Sequence, residues 1–294
     1  MSVRFLINVF NVDAPLAVGR ARGIFAAAGL DVDVMATPNS TAQMRGLSQG
    51  LWPIVSTAFD NVLGWSGREG AEVIAIAQVS QGGALPLYVR PEIKTWDDLR
   101  GKALAVDRVD TAYALVLRRM LLARGLEMER GDYTLIAKGT TGHRLNSMMQ
   151  GETFAGILNP PWDGKAAEAG MIRMTDHREV LPDYPGGVYA VARRWAEGNR
   201  EPLVNFLGAW NEALRWCQDE RNKREANRLI ASAEKLDEKA AAHRLSQLPK
   251  DGKLNLPGLQ CVLDLRNLFK LAPPMGGDIK VYYDESFYRQ TSKP

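Results

Sequence analysis

Six short segments hold the side chains of this 294-residue sequence whose types and spacing could do chemistry. They are Asn11-Val12-Asp13, Asn39-Ser40-Thr41, Thr57-Ala58-Phe59-Asp60-Asn61, Val109-Asp110-Thr111-Ala112-Tyr113, Thr140-Thr141-Gly142-His143 and Asn159-Pro160-Pro161-Trp162. Amides, hydroxyls, carboxylates and aromatic rings dominate them, the mixture that lines small-molecule sites. Binding through hydrogen bonds and ring contact is what such groups supply. Catalysis would need a positioned nucleophile, base or metal. Cys217 and Cys261 lie in the C-terminal part of the chain, away from these segments, and His143 is the only histidine within them. Three scattered histidines and two distant cysteines form no metal-ligand spacing, so neither a metal nor a cofactor is expected.

The residues expected to touch a ligand are Asn11, Asn39, Ser40, Thr41, Thr57, Phe59, Asp60, Asn61, Asp110, Thr111, Tyr113, Asn159 and Trp162. Several also read as structural. Ser40 or Thr41, Asp60 and Asp110 are natural helix N-caps. Capping and ligand contact are compatible, because the first turn of a helix keeps free N–H groups. Trp52 and Trp65 read as core residues, Trp162 as either a wall of the site or packing, and His143 as a solvated helix start. Asp60, Asp107 and Asp110 lie near expected helix starts, where ionised carboxylates oppose a bare anion, and Arg108 offsets one of them. That balance favours a heterocycle, or an organic acid that also carries amine or hydroxyl groups.

Strands and helices in alternation must position these segments. Short apolar runs alternate with longer stretches of 3.6-residue period, the pattern of an α/β chain. Strands are expected at 4–10, 32–36, 54–57 and 72–79, with helices at 15–28, 41–49 and 61–68. The pattern restarts with strands at 103–106, 133–137, 155–159 and 171–174 and helices at 96–99, 112–124, 143–150 and 163–169. Beyond residue 202 it turns helical, at 203–219, 223–233, 237–248 and 256–271, before an aromatic tail around Tyr282-Tyr283. The six segments fall at strand ends, where open α/β sheets bind ligands. A terminal helical block must bury its apolar stripes on an existing sheet. The expectation is therefore two lobes, each a mixed sheet flanked by helices. Lobe 1 takes residues 1–84 and 188–294 and lobe 2 takes 85–187, with a ligand cleft between them and hinges near the extended runs 85–90 and 186–191.

Composition removes other classes. Hydrophobic residues at 46% and charged residues at 24% are ordinary for a globular chain. The formal charge of +3 and the single short basic run, Arg221-Asn222-Lys223-Arg224 beside acids, exclude a nucleic-acid footprint. No run reaches the roughly 18 apolar residues of a membrane span. The N-terminus goes straight into a strand-like run without a signal pattern. The expected compartment is the periplasm with a signal removed, or the cytoplasm if Met1 is the true start. The two cysteines read as free thiols, a disulfide being the lesser alternative. A monomer is expected.

Four stretches together resemble a known family. Ala17–Val34 (AVGRARGIFAAAGLDVDV), Thr95–Val106 (TWDDLRGKALAV), Arg144–Pro161 (RLNSMMQGETFAGILNPP) and Val188–Trp216 occur in the order and spacing of the substrate-binding proteins of ABC importers. The resemblance is to the group serving nitrate, sulfonates, taurine and thiamine-precursor pyrimidines, and it spans nearly the whole chain. It implies the type II periplasmic-binding-protein fold and a receptor that captures a small organic molecule by hinge closure. An ABC permease is the implied partner. Enzymes similar to this family, of decarboxylase, desulfinase or pyrimidine-forming type, supply the alternative, and a ligand-sensing regulatory domain a third.

Overall fold

In a computed structural model, which describes residues 2–160 and 162–291, two five-stranded sheets organise the chain. β1 (Val3–Val9) leads into α1 (Ala14–Ala21), α2 (Ile24–Ala27), β2 (Leu30–Ala36), α3 (Ser40–Ser48), β3 (Ile54–Thr57), α4 (Phe59–Trp65) and β4 (Val73–Gln78). There follow β5 (Pro86–Val89), β6 (Lys102–Val106), α5 (Ala112–Leu122), β7 (Tyr133–Ala137), α6 (Thr141–Met149), β8 (Ala155–Ile157), α7 (Trp162–Glu168) and β9 (Ile172–Asp176). The chain closes with β10 (Val188–Ala192), α8 (Arg193–Gly198), α9 (Arg200–Gln218), α10 (Lys223–Glu234), α11 (Glu238–Ser246), α12 (Leu256–Leu268) and α13 (Ser286–Gln290). The sheets run β2-β1-β3-β10-β4 and β7-β6-β8-β5-β9.

The chain divides into two compact units. One comprises Met1–Gly82, Pro185–Leu263 and Ala272–Pro294, the other Gly83–Tyr184 and Asp264–Leu271. The short piece Asp264–Leu271 falls with the second unit, although the sequence pattern gives the whole C-terminal block to the first. Phe269, from that piece, lies under the Arg118 guanidinium at 4.0 Å.

In the first unit, β1 runs parallel to both β2 and β3, while β10 is antiparallel to β3 and β4. Phe5, Ile7 and Val9 of β1 are buried against α1 and α9. Phe206 stacks on Phe25 at 5.5 Å and meets Tyr189 edge-on at 5.4 Å, with Trp210 fully buried beside them. Truncating such a core aromatic costs about 3–5 kcal/mol, so this cluster accounts for much of what holds the helical block on the sheet. The single helix expected at 15–28 is two. Gly23 takes a left-handed φ of 71° and the axis changes direction there, a break that periodicity does not register.

The two runs near which hinges are expected form strands. Leu85–Arg90 contains β5 and Gly186–Val191 contains most of β10, each pairing on both sides inside its sheet. A short buried apolar run looks the same in sequence whether it crosses or pairs. The chain passes between units just before each, at Gly82/Gly83 and Tyr184/Pro185. Pro257-Gly258, which suggests a turn before Cys261, falls in the first turn of α12, where a proline needs no N–H partner. Helix α8 carries no sequence signal strong enough to separate it from α9.

In the second unit β6 is parallel to β7 and β8, and β5 is antiparallel to β8 and β9. Tyr88, Leu145, Met148, Leu158, Ala166 and Met171 form a core under which Trp162 packs.

Candidate functional site

Strand direction fixes where the predicted residues gather. In the first unit the carboxyl ends of β1, β2 and β3 share one sheet edge, since Val9 pairs in parallel with both Ala36 and Ser56. The loops after them bring Asn11, Asn39–Thr41 and Thr57–Asn61 to that edge. Asn39 caps α3, accepting from Ala42 N at 2.9 Å, so the cap is one residue earlier than Ser40 or Thr41. Ser40 and Thr41 then form the first turn, half-buried. Asn61 Nδ2 donates to Thr57 Oγ1 at 2.9 Å, which ties the start of α4 to the end of β3. Asp60 is buried in that turn, where no side chain caps the helix. Phe59 is only 1% exposed, so its ring belongs to the core and offers no face to a ligand, contrary to the sequence reading.

Asp13 has a different role from its loop neighbours. It caps α1 through Leu16 N at 2.9 Å, and its two oxygens accept from Tyr189 Oη at 2.7 Å and Trp210 Nε1 at 2.8 Å. Burial pushes this carboxyl above its usual range, although the three donors pull the other way. Arg244 of α11, which sequence reasoning missed, donates to the exposed Asn11 Oδ1 at 2.6 Å. Its own pKa is lowered by burial, with Glu234 and Asp13 opposing.

The second unit repeats the pattern at the ends of β6, β7 and β8. Thr111 caps α5 and donates to Asp107 Oδ1 at 2.5 Å. Asp110, expected as a cap or a ligand contact, is exposed and paired with Arg108 at 2.9 Å. Thr140 caps α6, and the neighbouring Thr141 Oγ1 donates to Asn159 Oδ1 at 3.0 Å. His143 is solvent-exposed, as its position in the sequence suggests. Trp162 is half-buried and lies flat against Gly142, where any Cβ would meet the ring at 2.7 Å. Pro161 lies outside the described residues.

Arg144 is the larger omission. Its guanidinium is buried and donates to Ile157 O at 3.1 and 3.2 Å, to Gly139 O at 2.9 Å and to Thr141 Oγ1 at 2.9 Å. It sits 5.5 Å from the Tyr113 ring. One side chain thus fastens the ends of β7 and β8 to the start of α6, which sets Thr141, Asn159 and Tyr113. Burial lowers its pKa, and the nearby Asp107 opposes that. Its position in the motif at residues 144–161 was legible, but nothing in the sequence showed that it faces inward.

These arginines change the charge argument. Asp110 pairs with Arg108 in the loop after β6, and Asp107 lies near the buried Arg144 of α6, so each of these two carboxylates has an arginine to balance it. The repulsion of anions expected from the aspartates is therefore offset in the second unit.

Among the described residues no group of three or more His, Cys, Asp or Glu could hold a metal ion, and no helix is long and apolar enough to cross a membrane. Cys217 and Cys261 form no disulfide among the described residues. Cys217 is buried and its thiol is pushed up to about 12, chiefly by burial and then by Asp13.

Comparison with known proteins follows this geometry. The model of the NMT1-like family matches residues 8–231. The bicarbonate transport ATP-binding protein CmpC of Synechocystis sp. is 25% identical over 247 residues, covering 76% of this chain and 36% of that protein. Curated relatives are longer: the chain spans 36% of CmpC and 54% of a second match. The alkanesulfonate-binding protein SsuA from Xanthomonas axonopodis pv. citri superposes with a TM-score of 0.76 at 16% identity, over 96% of this chain and 98% of that one. The periplasmic nitrate-binding protein NrtA from Synechocystis PCC 6803 gives 0.80 at 13% identity, over 99% and 88%. At these identities the superpositions establish the fold, the type II periplasmic-binding-protein architecture with two mixed sheets.

Proposed function

The chain belongs to the NMT1-like family, and on that premise we propose that it is the solute-binding receptor of an ABC importer. One observation carries this reading: in each unit, one sheet edge gathers short polar side chains at parallel strand ends, preset by hydrogen bonds within and between those strand-end segments. Preset donors and acceptors of this kind lower the ordering cost of binding a small polar molecule. SsuA and NrtA, of the same fold, are binding proteins for an alkanesulfonate and for nitrate. The lobe assignment of 1–84 with 188–294 and of 85–187, closure about a hinge, and a permease partner are parts of the same proposal, as is a periplasmic location.

The ligand class follows from the charges. With Asp107 and Asp110 balanced by Arg144 and Arg108, a polar organic acid bearing N–H or O–H groups suits these loops better than a cation. Asn11, Ser40, Thr41, Asp60, Asn61, Thr111, Tyr113, Asn159 and Trp162 are the proposed contacts.

A thermal-shift panel of polar organic acids, pyrimidines, alkanesulfonates and nitrate tests this. A ligand at a hundred times its Kd adds about 2.7 kcal/mol of stability. The largest shift should come from a hydroxy- or amino-substituted organic acid. A larger response to nitrate or a plain alkanesulfonate would contradict the ligand assignment.

A further inference from the structure

A cavity of about 800 Å³ opens on the first unit at the sheet edge opposite these loops. It is formed where the chain enters β3 and β4 and where it leaves β10, so no strand-end loop of the proposed ligand site reaches it. Its volume is that of an ordinary small-molecule site.

The walls are set in advance. Trp52 lies flat on Gly46, where a Cβ would come within 2.1 Å of the ring, and its Nε1 donates to Gln43 O at 2.9 Å. Trp195 is fixed edge-on against Phe5 at 5.9 Å. Arg193 is oriented by Glu72 at 2.9 Å and by Val281 O at 2.9 Å. Arg194 is exposed and makes no ion pair among the described residues.

We propose that this cavity is a second small-molecule site, built for a planar organic anion. Trp52 and Trp195 both line the cavity, each held by its own neighbours, and offer a flat ring stacking area at little entropic cost. An acid group finds Arg194, whose fork of donors is not already engaged, next to the oriented Arg193. Of the two carboxylates at the cavity, Glu72 is taken up by Arg193 and Glu197 stands exposed to solvent. The inference does not depend on the importer reading, because it uses none of the strand-end residues.

The test is a saturation-transfer NMR titration with benzoate on the parent protein, Arg194→Ala and Thr141→Ala, each checked for fold by circular dichroism. Arg194 is exposed, so its variant should fold. Saturable benzoate binding that weakens at least about five-fold in Arg194→Ala and persists in Thr141→Ala is expected, as for loss of one charge-assisted contact. Absence of saturable binding to the parent overturns the proposal. So does unchanged binding to Arg194→Ala, and loss in Thr141→Ala alone would assign the benzoate to the strand-end loops. A failure here leaves the thermal-shift result untouched.

Discussion

Asp13 offers the sharpest test of the first unit, because replacing it by Ala and by Asn should give very different results. The Ala variant removes one helix cap, worth about 1 kcal/mol. It also strands the buried Trp210 indole N–H and Tyr189 hydroxyl, at about 1–3 kcal/mol each. Against that sum of roughly 3–7 kcal/mol stands relief of the buried charge, so we expect a net loss of about 4 kcal/mol. The Asn variant keeps an oxygen for Leu16 N and Trp210 and can turn its amide to donate to Tyr189 Oη. Its loss should stay within about 1 kcal/mol. With a urea dependence of about 3 kcal/mol/M, the Ala variant should shift the tryptophan-fluorescence midpoint by about 1.3 M and the Asn variant by less than about 0.4 M. The pH response has a definite sign. Burial raises the folded carboxyl's pKa, so its contribution is fully present below the unfolded value and is lost as pH rises through the folded one. The Asn variant should therefore gain on the parent as pH climbs from about 4 towards 7. Equal losses in the two variants, or a loss below 1 kcal/mol for Ala, would refute this account.

Two further outcomes follow from buried groups in the second unit. Arg144→Met removes the donors that fasten Ile157 O, Gly139 O and Thr141. It should cost about 3 kcal/mol, read by calorimetry as a fall in Tm of about 6–12 °C, and a change under 2 °C would show those contacts to be idle. His177 is buried, which lowers its pKa despite the neighbouring Asp176. Its contribution is then full above the unfolded imidazole value near 6.5 and declines as pH falls below it, and His177→Gln should lose that acid-side slope in urea melts.

The alternation of strands and helices was legible because period-2 and period-3.6 patterns are strong over whole elements, and strand ends then locate the loops. Side-chain direction was not. Phe59 reads like a ring at a loop, yet the first turn of α4 points it into the core. Arg144 opens the family-like stretch with nothing to mark its direction, yet it is 2% exposed because three acceptors converge on it from β8, α6 and the segment after β7. Arg244 reaches Asn11 from 233 residues away, a meeting that no local pattern encodes. The helix expected at 15–28 hid its break for a related reason, since Gly23 changes the direction of the axis without interrupting the apolar stripe.

Native mass spectrometry of the freshly purified protein addresses the central claim most directly. A receptor should carry a small organic molecule in stoichiometric amount, release it chemically unchanged on denaturation, and rebind it with the same mass after prolonged incubation. A compound that emerges altered, with its mass changing over time in the presence of the protein, would contradict the assignment as a binding receptor.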